Sequence, residues 1–516
     1  MLKRIDKWII IPSLSLLTFL SLQIIFRPEE SKAFVYYLKD NLLYQSGFLF
    51  TWYGVFALIF VLWIAFSKYG KIKLGDSSDK VEFSNFSWAA MLFCAGIGAS
   101  IIYWGTIEWA YYYKALPYGL AEGSFQAAEL AATYGIFHWG PTAWAIYLVS
   151  ASVIAYMFHV KKVSILRMSE ACRPILGEKT NGVIGKSIDI LFIIGLLGGA
   201  GTSLGLGTPL ATEGIAKVFN LEVTRSMQLM VLFLITSLFM FSAYSGLKKG
   251  IKVLSDINML LAIALLIFVF LVSDKIFTLN MASTSLGLLV DRFPIMMTWL
   301  DPVGKSGFPQ DWTVFYWAWW IAYAPFMSLF IAKISKGRTI KNMLLGAIVF
   351  GSLGCAVFFI ILGNYGLNIH LTGVLDVISS LDLQGGAKTI IEIFSTMPFA
   401  ELIVSIVTLV SIIFMATTFD SASYVIAATV QKDIKQDEEP IRWLRVLCAF
   451  TLSVIPIGFI LMGSDLSILQ TSSIVTAMPV MIIGLLTAFS FVKEVKTHTA
   501  INQEMVVLVK SKEEVL

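Results

Sequence analysis

The chain has 516 residues, 57% of them hydrophobic and 14% charged, and a mean hydropathy of +0.79, whereas soluble domains are about 45–50% apolar and 25% charged. That balance excludes a soluble enzyme or binding module and places the chain in a membrane. The net charge of +4 reflects how basic residues are sorted across that membrane and gives no sign of nucleic-acid binding.

Twelve stretches approach the roughly 20 apolar residues that cross a bilayer. They lie approximately at 8–26, 48–67, 86–107, 134–158, 187–212, 227–246, 253–272, 312–332, 342–363, 401–428, 443–462 and 472–492. Basic residues are retained on the cytoplasmic side, and with the N-terminus inside, 28 of the 38 Lys and Arg fall on that side. Both termini are therefore expected in the cytoplasm, and an even span count agrees. The first stretch is longer than the apolar core of a usual signal peptide, and no small-residue cleavage site precedes Pro28-Glu29-Glu30. It is expected to stay in the mature protein.

The third stretch carries Gly96 and Gly98 in mid-span with Ser100 after them. These glycines either break the helix, exposing backbone groups to a ligand, or let a neighbouring helix approach closely. The fourth stretch opens with His138-Trp139-Gly140-Pro141 and carries Trp144 and Tyr147. In the fifth, Gly199-Ala200-Gly201 has no strand before it, so a nucleotide fold is not credible there. The segment 273–311 is read as extracellular, and its part 285–299 as an amphipathic helix at the surface.

The eighth stretch opens on Asp311-Trp312-Thr313-Val314-Phe315-Tyr316-Trp317-Ala318-Trp319-Trp320. At helical spacing Tyr316, Trp319, Trp320, Tyr323 and Met327 share one stripe. Indole faces hold a cation that offers no hydrogen-bond donor, the quaternary ammonium being the standard case. An interfacial belt is the alternative, but a belt keeps to one depth, and this run continues about two turns, roughly 11 Å, along the axis. The binding stripe is favoured. The tenth stretch holds Thr417, Thr418, Asp420 and Ser421; such hydroxyls suit Na⁺, a hard cation, or serve as glue between helices. Asp420 is an intramembrane carboxylate, functional by default unless it lies near the cytoplasmic end, where water reaches it, and the same alternative holds for Glu108 and Glu213 near other helix ends.

Four cysteines, Cys94, Cys172, Cys355 and Cys448, and four histidines, His138, His159, His370 and His498, are scattered. They propose neither a disulfide framework nor a metal site. No cofactor is expected, and a membrane enzyme lacks a convergent Cys/His/Asp set. A channel would not need a tight aromatic cage. The segment 273–311 divides the chain into five spans before it, from residue 86, and five after it. Five is odd, so the second set enters the membrane in the opposite sense, which is the arithmetic of an inverted repeat. The expected plan is two leading helices in 1–85, a first repeat in 86–272, the extracellular 273–311, a second repeat in 312–492 and a short cytoplasmic tail in 493–516.

These residues resemble the betaine/carnitine/choline transporters over nearly the whole chain. The tryptophan-rich 311–320 is the most specific part; further matches are Phe137-His138-Trp139-Gly140-Pro141, Thr202-Ser203-Leu204-Gly205-Leu206-Gly207 and Ala332-Lys333-Ile334-Ser335-Lys336-Gly337-Arg338. Several look closest to the carnitine branch. The resemblance implies an all-helical, twelve-span protein of the leucine-transporter fold type, a homotrimer among membrane lipid, placed in a bacterial plasma membrane. It implies an aromatic box of Trp139, Trp144, Tyr147, Trp319 and Trp320, with Tyr112, Tyr323 and Met327 nearby and Trp312 and Tyr316 along the access path.

Coupling divides that family. The sodium site of coupled members maps onto the carbonyls of Cys94, Ile97 and Phe414 and the hydroxyls of Thr417 and Thr418. Sodium-independent exchangers carry an arginine in the seventh span where this chain has Asn258, yet Met327 stands where they have a methionine in place of a second ion. The expected function is import of a glycine betaine or carnitine type substrate by Na⁺ symport. The alternative is a sodium-independent carnitine/γ-butyrobetaine-type exchanger. The short tail after Lys493, mixed in charge, lacks the long basic extension of an osmosensor.

Overall fold

The computed structural model describes residues 4–121, 123–435, 438–454 and 474–513, with positions 456, 457, 460 and 471 between the last two. Among these residues the regular elements are helical, and strand-like pairing is confined to isolated bridges of Ile5 with Gln431 and Lys73 with Thr339. Hydrocarbon offers no partner to a backbone N–H or C=O, so each spanning segment bonds within itself.

The chain begins with α1 (Lys7–Phe26), α2 (Pro28–Lys39), α3 (Gly47–Phe66), α4 (Asn85–Phe93) and α5 (Ala99–Lys114). Next come α6 (Phe125–His138), α7 (Pro141–Ala155), the single turns α8 (Met168–Ala171) and α9 (Arg173–Leu176), α10 (Val183–Phe219), α11 (Arg225–Ser245) and α12 (Lys252–Val272). After α13 (Lys275–Thr298) follow α14 (Phe315–Ile334), α15 (Ile340–Phe358), α16 (Asn364–Leu371), α17 (Val377–Gln384) and α18 (Gly386–Ser395). The series closes with α19 (Ala400–Val430), α20 (Arg442–Leu452) and α21 (Ala477–Glu513).

Among the described residues nine helical segments are long and apolar enough to span, and the bent pair α4–α5 makes a tenth. They coincide with ten of the twelve expected stretches. Of the other two, the first is helical over Lys7–Phe26, and the eleventh begins in α20 and ends outside the described residues. Positions 472 and 473, where the twelfth was expected to begin, also lie outside them, as do the side chains of the tail from His498 onward.

The bend between α4 and α5 is 56° and comes directly after the wide turn Cys94–Gly98. Glycine is required here by approach of neighbours. A Cβ on Gly96 would stand 2.9 Å from Met327 Cε, and one on Gly98 would overlap the Phe414 ring. The expected break is present.

Three features differ from expectation. The motif His138-Trp139-Gly140-Pro141 does not open a span; it sits inside one, between α6 and α7, within the helical segment Phe125–Val160. Ser124 caps α6 by accepting the Ala127 N–H, which starts that helix earlier than hydropathy alone suggests, while Pro141 has no N–H to continue it. Second, α13 begins ten residues before the expected amphipathic stretch, because Asp274 accepts the Phe277 N–H at 3.0 Å and nucleates a turn. Third, α16–α18 fill the connection before α19. Asp376 caps α17 through Ser379, and Thr389, Ile390 and Phe394 bury one side of α18.

Burial sorts the helices. The apolar window of the segment containing α14 is 100% buried within the protein and that of α6–α7 94%, against 33% for the one containing α12. The aromatic stripe of α14 is thus central, and α14 packs most extensively on α7. All four cysteines are free and buried.

Candidate functional site

The first turns of α14 place indoles side by side. Trp319 and Trp320 stack with centroids 4.9 Å apart and planes 12° apart, and Tyr316 stacks on Trp320 at 5.7 Å. Trp139, at the joint between α6 and α7, presents its edge to Trp320 at 5.0 Å and to Trp319 at 6.2 Å. Two hydrogen bonds fix this corner: Trp320 Nε1 donates to the His138 carbonyl at 3.0 Å, and Trp139 Nε1 donates to Glu108 Oε2 at 2.9 Å. The joint supplies the acceptor for the first, since a helix interrupted at a proline leaves carbonyls without their usual N–H.

These rings border a nearly closed cavity of about 10 Å³, room for about one water molecule, so a substrate enters only when its walls part. Trp139, Trp319, Trp320 and Tyr323 form its aromatic wall. Gly96, Ile97, Ser100, Ser203 and Thr418 form the opposite side, where the bend of α4–α5 meets α10 and α19. A small ligand with an apolar cationic head and a polar tail matches such a lining.

The remaining expected residues stand in a second layer or beyond. Tyr147 lies 6.0 Å from Trp320 by ring centroids, and among the described residues its buried hydroxyl has no hydrogen-bond partner. Trp144 sits behind Tyr147 at 5.8 Å and is packed into the space left by Gly351. Met327 lays its thioether over Gly96. Tyr112 is outside the box: it meets Trp312 at 4.7 Å, contacts Glu108, and reaches His138 Nδ1 at 2.7 Å. Trp312 and Tyr316 continue the line of rings outward, 6.5 Å apart, with Trp312 flanked by Trp104 and Tyr111.

A cluster of oxygens adjoins the cavity. Thr418 Oγ1 donates to the Cys94 carbonyl at 2.6 Å, and Thr417 Oγ1 donates to the carbonyls of Ile413 and Phe414 at 3.0 and 2.9 Å. Cys94, Phe414, Thr417 and Thr418 therefore gather where the Cys94–Gly98 turn packs on α19, and Ile97 lines the cavity beside Thr418. Asn258 is wholly buried nearby. With its amide turned so that nitrogen faces the acceptor and oxygen the donor, it would donate to the Val410 carbonyl at 3.3 Å and accept the Phe414 N–H at 3.2 Å. Among the described residues no group of three or more His, Cys, Asp and Glu could hold a metal.

Three side chains were not singled out as site residues from sequence. Ser100 and Ser203 meet at 3.5 Å on that side of the cavity; the glycine break before Ser100 and the Thr202-Ser203-Leu204-Gly205 motif were the available signals. The Thr202 side chain lies outside the described residues. Glu108 is wholly buried behind Trp139 and not at a watered helix end; Glu213 is half-buried. Asp420 is likewise buried, in an ion pair with Arg445 at 3.0 Å whose second arm reaches Glu439 at 3.1 Å. Its other oxygen takes the Ser242 hydroxyl. Water does not reach it, and it ties α19 to α11 and α20.

The family model of the betaine/carnitine/choline transporters matches residues 8–500. An uncharacterized transporter of Escherichia coli (strain K12), YeaV, is 33% identical over 444 residues, which is 86% of this chain and 92% of that protein. Members of this family are transporters and not enzymes, and the ten membrane-length helical segments make this an integral membrane protein. With the match running through both the aromatic wall and the broken helix, the chain belongs to the betaine/carnitine/choline family of transporters.

Proposed function

We propose that the protein imports a quaternary ammonium compound of the glycine betaine or carnitine type by Na⁺-coupled symport. The observation that carries the substrate class is the closure of Trp139, Trp319, Trp320 and Tyr323 around one cavity. A trimethylammonium head has no N–H to satisfy, and π faces stabilise it by about 0.5–2 kcal/mol each way of packing. Ser100 and Ser203 are hydroxyl donors on the lining available to a substrate carboxylate.

Sodium coupling is supported by the oxygens of Thr417 and Thr418 beside the carbonyls of Cys94 and Phe414, completed by the Ile97 carbonyl. Hard cations take such oxygens, and helix breaks free them in transporters of this plan. Asn258 is neutral, so no guanidinium occupies the ion's place. The resemblance further supports two inverted repeats that rock about the site, a homotrimer, and a bacterial plasma membrane with both termini in the cytoplasm. A sodium-independent exchanger is the second reading, favoured by the Met327 thioether over Gly96.

Uptake of labelled glycine betaine and carnitine into proteoliposomes, empty or preloaded, with and without an inward Na⁺ gradient, tests both. Accumulation in empty vesicles that requires the gradient supports symport. Uptake that ignores Na⁺ and needs preloading refutes it in favour of exchange.

A further inference from the structure

Glu108 lies on α5 with its side chain wholly buried, and among the described residues no Lys or Arg forms an ion pair with it. Oε2 accepts the Trp139 indole N–H at 2.9 Å, and Oε1 meets the Tyr112 hydroxyl. That hydroxyl also contacts His138 Nδ1 at 2.7 Å, and His138 Nε2 reaches the Thr313 hydroxyl at 2.9 Å. The other titratable side chains facing the carboxylate are Tyr316 from α14 and Cys355 from α15. Neither brings a positive charge.

Because the Tyr112 hydroxyl has a single proton, this relay has two fully bonded states. With Glu108 ionised, Tyr112 donates to it, His138 donates from Nδ1 to Tyr112, and Thr313 donates to Nε2. With Glu108 protonated, the carboxyl donates to Tyr112, Tyr112 donates to Nδ1, and Nε2 donates to Thr313. The states differ by one proton on the carboxylate and by the tautomer of His138. An ionised carboxylate in a dry interior is costly unless a cation faces it, and the cavity on the far side of Trp139 is where a cation would sit.

We propose that Glu108 is a proton site linked to the aromatic box, protonated when the box is empty and ionised when a trimethylammonium head fills it. On binding, the carboxyl O–H bond breaks, its electron pair stays on the carboxylate, and the proton leaves to water on the side to which the cavity is open. For a cation about 8 Å from the carboxylate, an effective dielectric of about 20 makes the attraction worth about 30-fold in affinity. This inference rests on the box being the substrate site.

The test uses the full chain in lipid nanodiscs at saturating Na⁺, with glycine betaine and carnitine as probes. Kd is measured from pH 5.5 to 9 (a range of about 3.5 units around the histidine midpoint), and proton release is followed with an indicator dye in weak buffer. Kd is expected to fall about 30-fold as pH rises, with up to about one proton released per site. Glu108→Gln should hold Kd at the acid limit and release nothing. Glu108→Asp, which keeps a carboxyl, should retain release and serves if the amide variant fails to fold. A Kd independent of pH with no proton released, or release undiminished in Glu108→Gln, overturns the proton site and leaves the box standing. No binding of either probe at any pH overturns the box and the proton site together.

Discussion

Replacing Trp320 by alanine removes a ring face and a hydrogen-bond donor at once. The ring stacks on Trp319 at 4.9 Å and receives the edge of Trp139 at 5.0 Å, while Nε1 holds the His138 carbonyl at 3.0 Å. Loss of one indole face from a desolvated cage weakens a quaternary ammonium by about 1–2 kcal/mol, or about 5- to 30-fold in Kd. Truncating a buried tryptophan costs about 3–5 kcal/mol of stability, and the abandoned carbonyl contributes about 1–3 kcal/mol of that. Trp320→Phe separates the two effects, because it keeps a π face and deletes the donor. Equilibrium binding of labelled glycine betaine and carnitine to purified protein, with thermal unfolding in parallel, reads both. Alanine should weaken Kd about tenfold or more and lower the melting temperature; phenylalanine should lower the melting temperature with a smaller loss of affinity. A folded Trp320→Ala protein that binds both compounds as tightly as wild type refutes Trp320 as a wall of the site.

Thr417→Ala with Thr418→Ala should abolish most Na⁺ stimulation of uptake while leaving substrate binding at saturating Na⁺ within about threefold; retention of the full Na⁺ response would reduce these hydroxyls to packing. Gly98→Ala sets a methyl against the Phe414 ring, and overpacking of about 1–3 kcal/mol outweighs the roughly 1 kcal/mol that alanine gains in helix propensity. Its thermal stability should fall, and a rise would show that the ring yields freely. Asp420→Asn leaves Arg445, wholly buried, with Glu439 as its remaining carboxylate, so the loss should fall at or below the roughly 3–5 kcal/mol of a fully broken buried pair; unchanged thermal unfolding would contradict the tie between α19 and α20.

The aromatic stripe was legible in sequence because helical spacing alone puts Tyr316, Trp319 and Trp320 on one face, and that periodicity survives any tertiary arrangement. The bend at Gly96 and Gly98 was legible for a related reason: glycine in mid-span has few explanations. What local pattern does not encode is which distant groups meet. Asn258 reads as a missing charge in sequence, whereas in the fold its amide is wholly buried beside the Val410 carbonyl and the Phe414 N–H, which a turned amide would bridge. Glu108 reads as a carboxylate near a helix end, and only the packing of α5 against the α6–α7 joint brings it behind Trp139. The joint itself was misread as the start of a span because hydropathy averages over the Ser124 cap and the first turns of α6.

All four native thiols are buried, and outside the spans burial pushes the Cys172 thiol up to about 12, so little of it is thiolate at neutral pH. A membrane-impermeant maleimide added to vesicles therefore meets a chemically quiet background. A cysteine introduced at Ser100 or Ser203, on the two sides of the 3.5 Å contact in the cavity, becomes a reporter whose labelling rate from each face of the bilayer counts how often the site opens to that side. The directionality of the cycle can thus be read by reagent access in the otherwise native chain, before any flux is measured.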